Sequence, residues 1–126
     1  MIVLATVVAT LAAAIHIGIF VMESIGWTRP AVWKRFGVAS QEFADATRPL
    51  AYNQGFYNLF LAVGAIVGLI LYGIGLHPAG LALILFTMAC MFAASVVLVT
   101  TGRGYIRPAL VQGSLPLIAL ILFFIP

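Results

Sequence analysis

Four long apolar runs, separated by three short gaps, dominate this chain of 126 residues. They cover about residues 2–25, 50–73, 80–101 and 105–125. About 20 apolar residues suffice for a helix to cross a bilayer, and a backbone amide in lipid needs a partner within its own segment. Each run therefore predicts a transmembrane helix. The spans leave no room for a soluble domain, so residues 1–126 are predicted to form a single four-span domain.

The composition supports this interpretation, because 64% of the residues are hydrophobic and only 7% are charged. In soluble proteins about a quarter of the residues carry a charge. The gaps after the second and third runs are tight turns, so consecutive helices must be antiparallel neighbours. The predicted fold class is all-α, an integral membrane antiparallel four-helix bundle.

The first gap is longer, at residues 26–49, and has a helical pattern of its own. Pro30 is tolerated in the first turn of a helix. Trp33, Phe36 and Phe43 then fall near one face. This pattern predicts a short helix that lies in the membrane interface between the first and second spans.

The basic residues predict the orientation. All six lie in the first and third gaps: Arg29, Lys34, Arg35, Arg48, Arg103 and Arg107. Because positive loops mark the cytoplasmic side, we expect these two loops in the cytoplasm and both termini outside. A net charge of +3 concentrated on one membrane face predicts contact with anionic lipid headgroups. It forms no continuous basic stripe, so nucleic acid is not expected as a partner.

Polar side chains inside the spans are few, and such residues usually face the bundle interior or a wet cavity. His16 and Glu23 are seven residues apart, two turns along one face of the first helix. The other helices contribute polar residues at similar depths: Asn53, Gln54, Tyr57 and Asn58 in the second span and Gln112 in the fourth. We expect these groups to share the cytoplasmic half of the bilayer and to form a pocket open to the cytoplasm.

The residue types suggest roles within that pocket. An imidazole titrates near neutral pH, so His16 is a candidate general acid or base, with Glu23 as its proton-handling companion. The amides and the Tyr57 hydroxyl are candidate ligand-binding groups. Structural alternatives exist for several of them. Gln112 could form an interhelical hydrogen bond, Tyr57 could belong to an interfacial aromatic belt, and Glu23 could pair with an arginine.

The sequence predicts no metal site and no cofactor. His16 and His77 are expected on opposite sides of the bilayer, and His16 with Glu23 supplies too few ligands. Cys90 is the only cysteine and is expected to be an inert core residue.

Several strings resemble one family of small bacterial membrane proteins with four helices, known only as a domain of unknown function. They are His16-x6-Glu23-x3-Trp27, Asn-Gln-Gly-Phe-Tyr-Asn at residues 53–58, Leu61-Ala62-x-Gly64, Pro108 and Gln112-Gly113. The resemblance implies a four-helix fold and a location in the bacterial inner membrane, but no activity. Small multidrug exporters and the microsomal glutathione-transferase superfamily are similar in shape alone.

The leading hypothesis is a pocket that binds a small amphipathic or lipid-like ligand, with acid–base chemistry of the isomerase type as one use. A proton-coupled transporter and an accessory subunit without its own activity are the alternatives. A homodimer is also considered, because Gly64 and Gly68 form a small-residue pair that could pack within the bundle or between protomers.

Overall fold

A computed structural model describes residues 1–125 of the chain, and this part is helical without strands. Helix α1 covers Ile2–Phe20 and continues as a π-helical turn over Val21–Ile25. A short α2 covers Pro30–Trp33. Three long helices follow: α3 over Gln41–Gly73, α4 over His77–Thr100 and α5 over Ile106–Phe124. The predicted all-α fold is confirmed.

The four long helices form a closed ring. Helix α1 packs against α3 and α5, and α4 packs against the same two helices from the opposite corner. Successive helices run in opposite directions, so the loops at residues 26–40 and 101–105 lie at one end of the bundle. This end carries all six basic residues and is called the basic end below. Residues 1, 125 and 74–76 lie at the other end.

All four long helices have the length and composition of membrane spans. The candidate spans contain 24, 33, 24 and 22 residues, with mean hydropathies between 1.7 and 2.6. At 1.5 Å per residue, even the shortest has a length of about 33 Å, which exceeds the hydrocarbon thickness of a bilayer. The chain is therefore suited to a multi-pass membrane protein, as its hydropathy predicts.

The second long helix begins nine residues earlier than the apolar run predicts. Ser40 is its N-cap, and the Ser40 hydroxyl accepts a hydrogen bond of 3.1 Å from the Phe43 amide. The helix continues through Pro49, which removes one backbone donor without ending the helix. The polar residues before Pro49 conceal this start from a hydropathy pattern, whereas the serine cap favours it.

The short helix predicted in the first gap is present but smaller than expected. It consists of α2 and a 3₁₀ turn, Lys34–Phe36. Gly37 then adopts a left-handed conformation with φ of 73°, which favours glycine and ends the helix. Phe43, grouped with the loop aromatic residues in the sequence, belongs to α3.

Small residues let the helices approach closely over most of the bundle. Four of the seven buried residues of α1 are alanines, and the larger core side chains of α4 are Ile84, Met88 and Met91. A Cβ atom at Gly68 would lie 2.9 Å from Ile84 Cγ1, and one at Gly64 would lie 2.9 Å from Thr87 Cγ2. The Gly64 and Gly68 pair therefore serves α3–α4 packing inside the bundle.

Candidate functional site

The last turn of the first span is wider than an α-helix. The Gly26 amide donates to the Val21 carbonyl at 2.9 Å, an i to i+5 bond that closes the π-helical turn. Such turns insert one extra residue and are frequent at functional sites. Here the turn presents Glu23 and Ser24 to α3, where the Ser24 hydroxyl donates to the Tyr52 carbonyl at 2.8 Å.

Gly55 allows this turn to touch α3. A Cβ atom at position 55 would collide with the Ser24 side chain and would lie 3.1 Å from Glu23 Cβ. No side chain fits there without displacing one of the two helices. The glycine inside the Asn-Gln-Gly-Phe-Tyr-Asn string thus has a packing role that its sequence neighbours do not reveal.

Glu23 is held by one amide of α3. The Asn58 Nδ2 group donates to Glu23 Oε2 at 3.0 Å and to the Gln54 carbonyl at 3.1 Å. Asn58 is only 8% exposed, so this contact is shielded from the surroundings. No ion pair with Glu23 is present among residues 1–125, and the alternative of an arginine partner is not realised. The half-buried carboxyl group of Glu23 thus has a neutral amide, and not an arginine, as its side-chain partner within the described residues.

A cavity of about 320 Å³ opens beside this carboxyl group. All four long helices and the first loop contribute to it, and we call it the Glu23 cavity. Its polar lining consists of Glu23, Thr47, Gln54, Tyr105 and Gln112. Its apolar lining consists of Trp27, Phe36, Val38, Phe43, Leu50, Ala51, Leu98 and Pro108. A mostly apolar wall with a few polar groups is typical of small-molecule sites, and about 300 Å³ is the lower end of their size range.

The predicted site residues divide into two groups. Glu23, Gln54 and Gln112 line the cavity, and Asn58 contacts Glu23. Asn53 and Tyr57 do not line it; both are exposed, Tyr57 by 56%. Consecutive helical residues differ by about 100° in direction, so the strip of Asn53 and Tyr57 points away from the strip of Gln54 and Asn58.

His16 is buried in the bundle but stands apart from the cavity. Its side chain is fully buried, and Nδ1 donates to the Ala12 carbonyl at 2.9 Å. Its Nε2 atom has no hydrogen-bond partner within residues 1–125. Seven residues separate it from Glu23, about 10 Å along the helix axis. The expected convergence of this imidazole with the α3 amides through hydrogen bonds is therefore absent.

Two cavity residues offer unused hydrogen-bonding groups. The side-chain amides of Gln54 and Gln112 make no hydrogen bond to another group among residues 1–125. Pro116 lies buried within α5 and lacks an amide hydrogen, so the Gln112 carbonyl also has no donor four residues ahead. Within the described residues these side-chain amides are thus unpaired, on an exposed side chain at Gln54 and a half-buried one at Gln112.

Other residues of the site were not predicted from the sequence. The Trp27 ring packs at the mouth of the cavity and its Nε1 group donates to the Ala44 carbonyl at 3.0 Å. Thr47 accepts a second contact from the same nitrogen at 3.3 Å. Trp27 follows Glu23 by four residues, so the sequence could have indicated that Trp27 lies near Glu23. No feature of the sequence distinguishes Thr47 as a site residue. Within the described residues, no group of three His, Cys, Asp or Glu side chains could hold a metal ion.

Comparison with known proteins identifies the family of the chain. A family model described as "Protein of unknown function (DUF1304)" matches residues 10–124. The chain belongs to this family, and the resemblance noted from the sequence strings is confirmed. No curated protein and no solved structure matches the chain.

Proposed function

We propose that this member of the family binds a small amphipathic molecule in the Glu23 cavity and that Glu23 exchanges a proton with it. The observation that carries the proposal is the position of Glu23, a carboxyl group in the wall of a mostly apolar cavity, fixed by Asn58 at 3.0 Å. A protein that needed this acid only for packing would not require a cavity beside it.

The cavity lining supports an amphipathic guest. Phe36, Phe43, Leu50 and Leu98 offer apolar surface to a hydrocarbon portion. On the polar side, the amides of Gln54 and Gln112 can each donate and accept hydrogen bonds. A guest with one polar group and one apolar portion uses both kinds of surface at once.

Proton exchange at Glu23 follows from its hydrogen bonding. Asn58 donates to Oε2, which leaves Oε1 as the oxygen available to a guest. A general acid or base must lie within hydrogen-bond reach of the proton that it transfers, and the Asn58 contact restricts the carboxyl group to one orientation. Because His16 does not line the cavity, we assign the acid–base role to Glu23 and leave His16 outside the reacting groups.

The binding step can be tested with 1-aminoanthracene, an uncharged amphipathic fluorophore, and the full chain in detergent micelles. We expect saturable binding that weakens at least about tenfold when Gln54→Leu and Gln112→Leu are combined, since two hydrogen bonds are lost. The matched control is Asn53→Leu, which removes the neighbouring amide on the exposed strip. Equal binding by the control and the double variant would exclude the Glu23 cavity as the binding site.

A further inference from the structure

A second cavity of about 180 Å³ lies between α1 and α5 at the basic end. It shares Phe36, Pro108 and Gln112 with the Glu23 cavity, but Glu23 does not line it. Its rim carries Arg35 and Arg107, and we call it the arginine cavity. The two adjacent cavities thus differ in charge, with a carboxyl group in one and two guanidinium groups in the other.

The two arginines reach the cavity from separate elements. Arg35 belongs to the 3₁₀ turn Lys34–Phe36, and Arg107 lies in the first turn of α5. The chain has only three acidic residues, and no ion pair is present among residues 1–125. Two guanidinium groups that face one space without an acidic partner attract an anion, and guanidinium groups favour phosphate and carboxylate geometry.

The start of α5 adds to this attraction. The first turn of this 19-residue helix contains no acidic side chain, although a helix N-terminus favours negative charge. Arg107 instead adds a second positive charge to that end. An anion bound at the cavity rim would offset both the helix dipole and the arginine charge.

The remaining wall is apolar. Ile19 of α1, Met22 of the π-helical turn and Val111 of α5 line it; Ile19 is buried, whereas Val111 is 57% exposed. A free inorganic anion would make no favourable contact with such a wall. An alkyl chain attached to an anionic head would bury apolar surface there.

We propose that the arginine cavity is a binding site for one amphiphile with a phosphoryl headgroup, whose head lies between Arg35 and Arg107 and whose chain lies along Ile19, Met22 and Val111. This site is distinct from the Glu23 cavity, although Phe36, Pro108 and Gln112 line both. The arginine substitutions and the lipid probes leave the residues of the Glu23 cavity unchanged, so failure of this proposal would leave the proposed proton exchange at Glu23 untouched.

The test is native mass spectrometry of the full chain in detergent, titrated separately with phosphatidylglycerol and with phosphatidylcholine of equal chain length. We expect one phosphatidylglycerol adduct per chain, at about tenfold lower lipid concentration than for phosphatidylcholine. Combined Arg35→Gln and Arg107→Gln should abolish this preference. Combined Arg48→Gln and Arg103→Gln removes the same charge at the same end outside both cavities, and should retain it.

Two further arms distinguish the source of the anion and the role of the chain. Millimolar inorganic phosphate should not displace phosphatidylglycerol, and Val111→Trp should weaken the adduct by filling the apolar wall. Displacement by inorganic phosphate would identify a site for the free anion and overturn the proposal. Equal loss in both arginine pairs would also overturn it, because it would show general attraction to a basic surface. Thermal unfolding of each variant checks that the chain remains folded.

Discussion

The two ends of the bundle differ in how their helices meet. Away from the basic end, glycines and alanines bring the helices into contact; a Cβ atom at Gly80 would collide with the backbone of Tyr72. At the basic end, the π-helical turn, the first loop and its aromatic residues hold the helices apart around two cavities. Small residues therefore give close helix contacts in one region, whereas polar groups line open space in the other.

Close contact through a glycine also occurs toward the basic end, at Gly55 and at Gly113, and at Gly55 it has a different result. Gly55 brings α3 against the π-helical turn, as Gly68 brings it against α4. At Gly55, however, the close approach places Glu23 within hydrogen-bond distance of Asn58. Close packing on one side of the Glu23 cavity thus positions the group that we propose to be reactive. The substitutions below distinguish residues that pack the helices from residues that position Glu23. They are given in order of decreasing expected effect.

The largest effect is expected for Gly68→Leu in the closely packed region. Its Cβ atom alone would lie 2.9 Å from Ile84 Cγ1 and 3.1 Å from the Gly80 carbonyl. We expect a loss of about 3 kcal/mol in the free energy of unfolding, measured by denaturant titration in micelles. Gly73→Leu is the control, because nothing lies within 4 Å of a Cβ atom there. Similar losses in both variants would contradict the packing role.

Gly55→Ala should destabilise less but should also affect the site. We expect a loss of about 1–3 kcal/mol from the collision with Ser24, together with weaker 1-aminoanthracene binding as Glu23 moves away from Asn58. Gly18→Ala in α1 has open space and should be neutral or slightly stabilising, since alanine favours a helix. Unchanged stability and binding in Gly55→Ala would show that the π-helical turn does not touch α3.

Asn58→Leu tests the hydrogen bond to the carboxyl group. It leaves Glu23 Oε2 without its donor, which should lower the free energy of unfolding by about 1–3 kcal/mol. Asn53→Leu, on the exposed strip of the same helix, should change it by less than about 0.5 kcal/mol. Denaturant unfolding curves of the two variants measure this difference. Equal effects would contradict the assignment of Asn58 to the strip that contacts Glu23 and of Asn53 to the exposed strip.

His16→Phe should have the smallest effect of the four. The substitution removes a buried Nε2 atom that has no partner in the described chain, which offsets the lost hydrogen bond from Nδ1 to the Ala12 carbonyl. The change in unfolding free energy should therefore stay within about 1 kcal/mol. Binding of 1-aminoanthracene should be unchanged, because His16 does not line the Glu23 cavity. A substantial loss of binding with normal stability would restore the role that the sequence suggested for this residue.

Much of the fold was predictable because lipid leaves a chain few options. A backbone in hydrocarbon must form helices, so four apolar runs specify four helices, and the described structure confirms this. Helix α3 begins nine residues before the span predicted from the apolar run. Hydropathy does not report a serine cap, and a proline inside a helix resembles a helix boundary in the sequence.

The site was predictable in part. Depth along the helices predicted that Glu23, Asn58 and Gln112 lie close together, and in the structure Glu23 contacts Asn58 and lines a cavity with Gln112. Helical spacing also separates the strip of Asn53 and Tyr57 from the strip of Gln54 and Asn58, but the sequence does not indicate which strip faces the first span. The π-helical turn could not be predicted, since its extra residue depends on contacts between Ser24, Tyr52 and Gly55 that are distant in sequence.

The hydrogen bond between Glu23 and Asn58 is the contact on which the proposed site depends most directly. A double-mutant cycle with Glu23→Ala and Asn58→Ala measures it as the coupling in unfolding free energy. We expect a coupling of about 1 kcal/mol or more, and a value near zero for the matching cycle of Glu23 with Asn53. A coupling near zero for Glu23 and Asn58 would contradict the geometry from which the proton-exchanging site is inferred.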